Sequence, residues 1–234
     1  MALILNIETA TGICSASLAE DGKTIAIREA EEERSHASVL AVFIEELLNE
    51  TGITATGLDA IAVSKGPGSY TGLRIGVSTA KGICYSAGKP LIGIETLLSM
   101  AWGMANLYIK DQPAHKNTHL CPMIDARRME VYTALYNSGG KKVSDTRAEI
   151  INEKSYSDIL EKGKIIFFGD GAGKCRNTIK SQNALFVDGI STSARYMEKL
   201  SEERFRKGKI EDTAYFEPYY LKDFIAGKPP KKLH

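Results

Sequence analysis

The chain is similar to itself at an offset of 117 residues, half its length of 234, and this constrains its fold more than any other feature. Ile7-Glu8 returns as Ile124-Asp125, Leu18 as Leu135 and Gly22 as Gly139. Each copy reads as an apolar strand ending in a carboxylate, an alternating strand (ICSASLA or VYTALY), a glycine hairpin and a third strand (TIAIREA or KVSDTRAEI). Each then runs helix, strand, glycine turn, helix: 35–49, 58–64, 66–72 and 73–85 in the first, 155–161, 165–168, 169–173 and 174–179 in the second. The pattern predicts a duplicated βββαβα unit, an α/β fold of two lobes with a cleft between them. Glu8 and Asp125, each closing the first strand of its copy, are expected to face that cleft. Chance likeness of two hairpins is the competing reading.

Residues 64–82, SKGPGSYTGLRIGVSTAKG, hold five glycines between two apolar patterns. Leu58, Ala60, Ile61, Ala62 and Val63 before them read as an interior strand. Leu73, Ile75, Val77, Ala80, Ile83 and Cys84, with Arg74 and Lys81, read as a helix packed along one side. The spacing of Gly66, Gly68 and Gly72 fits neither a P-loop nor a dinucleotide fingerprint. The turn made by Gly66, Pro67, Gly68 and Gly72 therefore either presents backbone N–H groups to a ligand or only permits close backbone approach. Gly72, Gly76 and Ala80 recur every four residues, a stripe that admits a closely packed helix.

Composition removes several functional classes. A formal charge of +1 gives no basic footprint for nucleic acid, so any RNA contact is expected to need a partner. MALILNIETA has no basic n-region and reads as a first strand, and no apolar run approaches the roughly 20 residues of a membrane span. Cys14, Cys84, Cys121 and Cys175 lie far apart with no C-x-x-C pair, as expected for reduced thiols in a cytoplasmic protein. His115 and His119 fall in a polar loop leading into a strand, and no metal site is expected there or elsewhere.

The segments GPGSYTGLRIGVSTAKG, ILNIETATG and PMIDARRMEVY resemble the TsaB family, also called YeaZ, over essentially the whole chain. The resemblance places the chain among the sugar kinase, Hsp70 and actin-like folds with RNase H-like lobes. It implies an N-terminal lobe over residues 1–106, a smaller C-terminal lobe over 118–212, and a segment 213–234 that returns to the first lobe and ends in a disordered basic tail. It also implies a part in forming threonylcarbamoyladenosine beside the anticodon of tRNAs, with a TsaD-like paralogue as transferase and a TsaE-like ATPase as third component. The transferase carries an H-x-x-x-H metal pair, and alignment puts Thr96 and Met100 in those two slots. Neither replaces imidazole as a ligand, so the chain is expected to be a subunit without transferase chemistry of its own.

In nucleotide-binding relatives the first turn contacts phosphate. Glu8, Thr9, Thr11 and Gly12, with Gly169, Asp170 and Gly171 of the second turn, are the corresponding candidates. With no lysine positioned beside the first turn to clamp a phosphate, ATP or ADP binding is expected to be weak and no cofactor to be required. Helix 35–49 is apolar around more of its circumference than one core face needs. His36, Val39, Leu40, Phe43 and Leu47, together with Gly72, Arg74, Gly76 and Ala80, are the candidate partner interface, shared with TsaD or, alone, with a second copy of the chain. The rival assignment covers those apolar residues with the chain's own C-terminal segment. Arg127, Arg128 and Glu130 line the cleft, meet the ATPase or belong to a solvated hairpin. An ATP-dependent phosphotransferase and, further off, a metallopeptidase are the alternative activities.

Overall fold

The structure is a computed structural model and describes residues 1–31, 36–110 and 118–222. The tail GKPPKKLH and His115 lie outside those residues. Strands β1 (Leu3–Glu8), β2 (Ile13–Glu20) and β3 (Lys23–Glu31) form an antiparallel meander. Asp21 and Gly22, with φ of 48° and 68°, close the β2–β3 turn in the left-handed conformation that a two-residue hairpin requires. Strands β4 (Ala60–Gly66) and β5 (Leu91–Glu95) then extend the sheet from β1 in parallel, giving the order β3-β2-β1-β4-β5.

The second half repeats this plan. Strands β6 (His119–Asp125), β7 (Glu130–Thr133), β8 (Arg147–Ile150), β9 (Ile165–Phe168) and β10 (Ala184–Val187) assemble in the order β10-β9-β6-β7-β8. In both sheets the first strand of the unit lies at the centre, antiparallel to the second and parallel to the fourth. The duplicated α/β architecture expected from the offset is present, and β1 and β6 carry the paired Glu8 and Asp125.

Helices cover both faces of the first sheet. Leu5, Ile7, Ala16 and Leu18 meet Leu40, Ile44 and Leu47 of α1 (His36–Thr51) and Val77, Ala80 and Cys84 of α2 (Tyr70–Ala87). Alternation along the strands turns Ile4, Ala60, Ala62, Ile92 and Ile94 to the other face. There they meet Met197, Leu200 and Phe205, at and beside α5 (Glu198–Arg206). The second sheet buries Leu120, Ile124, Ile166 and Phe168 under Leu97, Met100 and Ala101 of α3 (Thr96–Gly103). Its opposite face buries Cys121, Met123, Ile165 and Phe167 under Leu160 of α4 (Ser157–Leu160) and under Cys175 and Ile179.

Two expectations change here. Boundaries at 106 and 212 follow the chain, but packing crosses them: α3 follows the first sheet and covers the second, and α5 follows the second sheet and covers the first. The second-copy helices are also slighter than their pattern suggested. The helix expected over 155–161 is the single turn α4, and the one over 174–179 reduces to a 3-10 turn, Gly173–Cys175. These segments are too short to nucleate regular helix alone, and the sheet face they cover is smaller.

Candidate functional site

The turn that leads from β4 into α2 is built for contact with the chain's own β1–β2 turn. Ser69 caps α2, its hydroxyl accepting from Gly72 N at 3.3 Å, while Ser69 N donates to Ala10 O at 2.7 Å. A Cβ on Gly68 would stand 2.3 Å from Ala10 O, and one on Gly72 would stand 2.1 Å from Thr9 O. Gly76 lies so close to the Thr9 side chain that a Cβ would reach within 2.3 Å of Oγ1. The Thr9 hydroxyl donates to Gly72 O at 2.8 Å. The stripe of small residues therefore seats α2 on the first hairpin and on its own sheet, and it is not a surface for another chain. Gly66, with φ of 104°, leaves room for the backbone of Tyr219, whose carbonyl oxygen would lie 2.8 Å from a Cβ.

Between the lobes is a cleft of about 590 Å³, lined from the first lobe by Thr11, Gly12, His36 and Tyr70 and from the second by Asp125, Arg127 and Asp170. Asp125 is half-exposed: its Oδ1 accepts from Lys174 Nζ at 2.7 Å and from Arg127 N at 2.6 Å. Asp170 Oδ1 accepts from Asp125 N at 3.1 Å, and burial holds its carboxyl above the usual carboxylate range. Thr11 Oγ1 lies 2.7 Å from Thr192 Oγ1, a buried pair, and Thr11 O lies 2.7 Å from His36 Nε2.

Glu8 does not face this cleft. It is fully buried beneath it, one oxygen accepting from Ala10 N at 2.7 Å and the other without a hydrogen-bond partner. Loss of hydration pushes its carboxyl up to about 7. Thr9 is likewise buried and engaged by α2. In the second turn, a Cβ on Gly169 would meet Met123 O at 2.4 Å and one on Gly171 would meet Asp125 N at 2.9 Å, so both glycines serve close packing on β6. Of the candidate nucleotide contacts, Thr11, Gly12 and Asp170 alone line the cavity. Two lysines stand beside carboxylates here, and one of them, Lys174, directly follows the second glycine turn in sequence. Lys174 is held by Asp125, and Lys222, on the cavity wall, pairs with Glu130.

The candidate interface divides in the same way. Leu40, Leu47, Gly72, Gly76 and Ala80 are buried inside the first lobe and offer nothing to a partner. His36 turns to the cleft, and Arg74 is engaged at home, its Nε donating to Tyr220 OH at 3.2 Å. Val39 and Phe43 are half-buried against the lobe's core. A different set forms the open face. Ala41, Ile44, Leu48, Thr79 and Ile83 line a groove of about 360 Å³ between α1 and α2, with Glu45 and Asn49 at its edge. Val42 is exposed on α1 and Tyr85 on α2. The C-terminal segment runs over Lys65, Lys81 and the start of α2, and none of its described residues lines this groove. The signal for the groove was present in sequence as the apolar excess of α1, but periodicity alone assigned it to the wrong side chains.

Thr96 and Met100 sit one helical turn apart on α3, both fully buried. Met100 packs in the core of the second lobe, its methyl close to Gly169. Among the described residues, no three His, Cys, Asp or Glu side chains come together as a metal-binding group, and no helix is long and apolar enough to cross a membrane.

Comparison with known proteins agrees with this geometry. A family model described as TsaD, tRNA N6-adenosine threonylcarbamoyltransferase, matches residues 27–224. The tRNA threonylcarbamoyladenosine biosynthesis protein TsaB of Escherichia coli (strain K12) is 31% identical over 236 aligned positions, covering 96% of each chain. The protein of that name from Haemophilus influenzae is 34% identical over 96% of this chain and 95% of its own. Among solved structures, an uncharacterized Pseudomonas aeruginosa protein with similarity to peptidase YEAZ superposes with a TM-score of 0.81 over 95% of this chain and all of that one, at 23% identity, a likeness of fold.

Proposed function

This chain belongs to the TsaB, or YeaZ, family, and from that membership we propose that it serves the formation of threonylcarbamoyladenosine in tRNA as a non-catalytic subunit that binds and activates a TsaD-like transferase. The observation that carries the reading is the apolar groove between α1 and α2, which among the described residues is lined by those two helices alone. A pair of helices with an apolar seam edged by Glu45 and Asn49 suits a second helical pair, packed ridge into groove. The transferase paralogue, built on the same unit, supplies such a pair. In its absence the same face accepts a second copy of the chain. A TsaE-like ATPase joins the complex, tRNA is reached through the transferase, and the interlobe cleft binds ATP or ADP weakly without needing it.

Ala41→Glu and Ile83→Glu place a charge in the groove. Each is expected to weaken co-elution with the transferase by about 30-fold or more, the scale of a 2 kcal/mol interface anchor. Ala41 is exposed, so its variant is expected to melt with the parent. Retained complex formation at parental affinity refutes the placement. The function itself is tested by threonylcarbamoyl transfer to tRNA from preformed threonylcarbamoyl-AMP. Transfer only when transferase and chain are both present supports the reading. Transfer by this chain alone, or Mg-ATP turnover by it alone, overturns it in favour of an enzyme.

A further inference from the structure

The stretch after α5 is tied down along the first lobe by successive contacts. Glu211 N donates to Leu91 O at 2.8 Å, and the Phe216 ring fills the space that a side chain at Gly93 would take. Lys81 Nζ donates to the carbonyls of Ala214 and Phe216 at 3.0 and 3.1 Å. Tyr219 N donates to Lys65 O at 2.7 Å, beside Gly66. The Tyr220 ring lies 5.0 Å from that of Tyr70 at the start of α2, and Arg74 spans both, its guanidinium 4.3 Å over Tyr70 and its Nε on Tyr220 OH. Tyr219, Tyr220, Leu221 and Lys222 then form part of the cleft wall, and Lys222 reaches the carboxylate of Glu130 on β7, in the other lobe.

We propose that residues 219–222 are a clasp across the mouth of the interlobe cleft, hinged on the first lobe and latched to the second, which sets how far the cleft opens. The two ends differ in strength by construction. The first-lobe side combines backbone hydrogen bonds, a half-buried ring and the Tyr70–Arg74–Tyr220 set. The second-lobe side is an ion pair with Lys222 42% exposed and Glu130 20% exposed. Pairs at such exposure contribute little and are screened by salt, so the latch opens before the hinge. The behind-cleft contacts, including Thr11 with Thr192 and Ala194 N with Ser15 Oγ, remain as the axis about which the lobes move.

The test uses the full chain labelled at Thr71→Cys and Glu153→Cys, exposed positions on opposite lobes. The four native cysteines are buried and leave the introduced pair as the sites of labelling. Interlobe distances are read by electron double resonance. Lys222→Ala and Glu130→Ala are each expected to shift the distribution to longer and broader distances, and 1 M salt to do the same to the parent protein. The exchanged pair, Lys222→Glu with Glu130→Lys, is expected to return it towards the parental distance. A distribution unchanged in Lys222→Ala, with circular dichroism showing the variant folded, overturns the clasp whatever Tyr220→Ala does.

Discussion

Gly72→Ala is expected to cost about 3 kcal/mol of stability, whereas Gly82→Ala in the same helix is expected to add about 0.5–1 kcal/mol. Both glycines lie in α2, and helix propensity favours alanine equally at each. Their surroundings differ. A methyl at Gly82 meets nothing within 4 Å, so the gain in propensity is expressed in full. A methyl at Gly72 would stand 2.1 Å from the carbonyl oxygen of Thr9 and 3.3 Å from its carbon. Those are backbone atoms and no rotamer change removes them, so either α2 or the β1–β2 turn must shift. A shift also breaks the Thr9 hydroxyl's bond to Gly72 O and the Ser69 cap. Urea midpoints of the two variants measured side by side settle the matter. Equal and opposite shifts are not required, but a Gly72→Ala variant no less stable than the parent contradicts the close approach.

The second large effect concerns Glu8. Its carboxyl has a pKa near 4.5 in the unfolded chain and about 7 in the folded one, because burial removes the water that would solvate the anion. The folded state thus binds the proton more tightly than the unfolded state does. The stability this supplies is fully present below pH 4.5 and is lost progressively as pH rises through 7. A displacement of that size amounts to about 3 kcal/mol at full span. Glu8→Gln keeps an oxygen to accept from Ala10 N and carries no charge to bury. The variant is expected to match the parent at pH 5 and to exceed it at pH 8.5 by about 2–3 kcal/mol. Chemical denaturation at both pH values measures it, since subtraction removes every other titrating group. Parallel pH profiles for parent and variant contradict a neutral buried Glu8.

What could be read in advance followed from local rules. Alternation and turn chemistry located β1 to β4, the Asp21-Gly22 hairpin, α1 and α2, and the offset of 117 residues anticipated the common strand order of the two sheets. Strands β5 and β10 escaped notice because each is a short apolar run of four or five residues, despite the flanking Gly88-Lys89-Pro90 and Asp188-Gly189. Side-chain periodicity gave α2 a small-residue face but was silent on what that face meets, and the answer was a carbonyl of the same chain. In the same way, a carboxylate closing β1 was legible, but nothing local showed that it would be fully buried. Lys222 and the tyrosine set at the cleft come from distant sequence. The signal available for the latter was density, since three of the ten tyrosines fall within residues 215–220.

The exchange of α3 and α5 between the sheets has a consequence during synthesis. The face of the first sheet made by Ile4, Ala60, Ala62, Ile92 and Ile94 is complete once β5 has been made, yet its cover arrives with Met197 and α5. A ribosome adding roughly 5–20 residues per second needs on the order of ten seconds to cross that interval. For that time the nascent chain carries an apolar sheet face with nothing native to lie on it, a natural target for a chaperone that recognises exposed aliphatic strands. Final closure of the first lobe therefore waits on synthesis of the second.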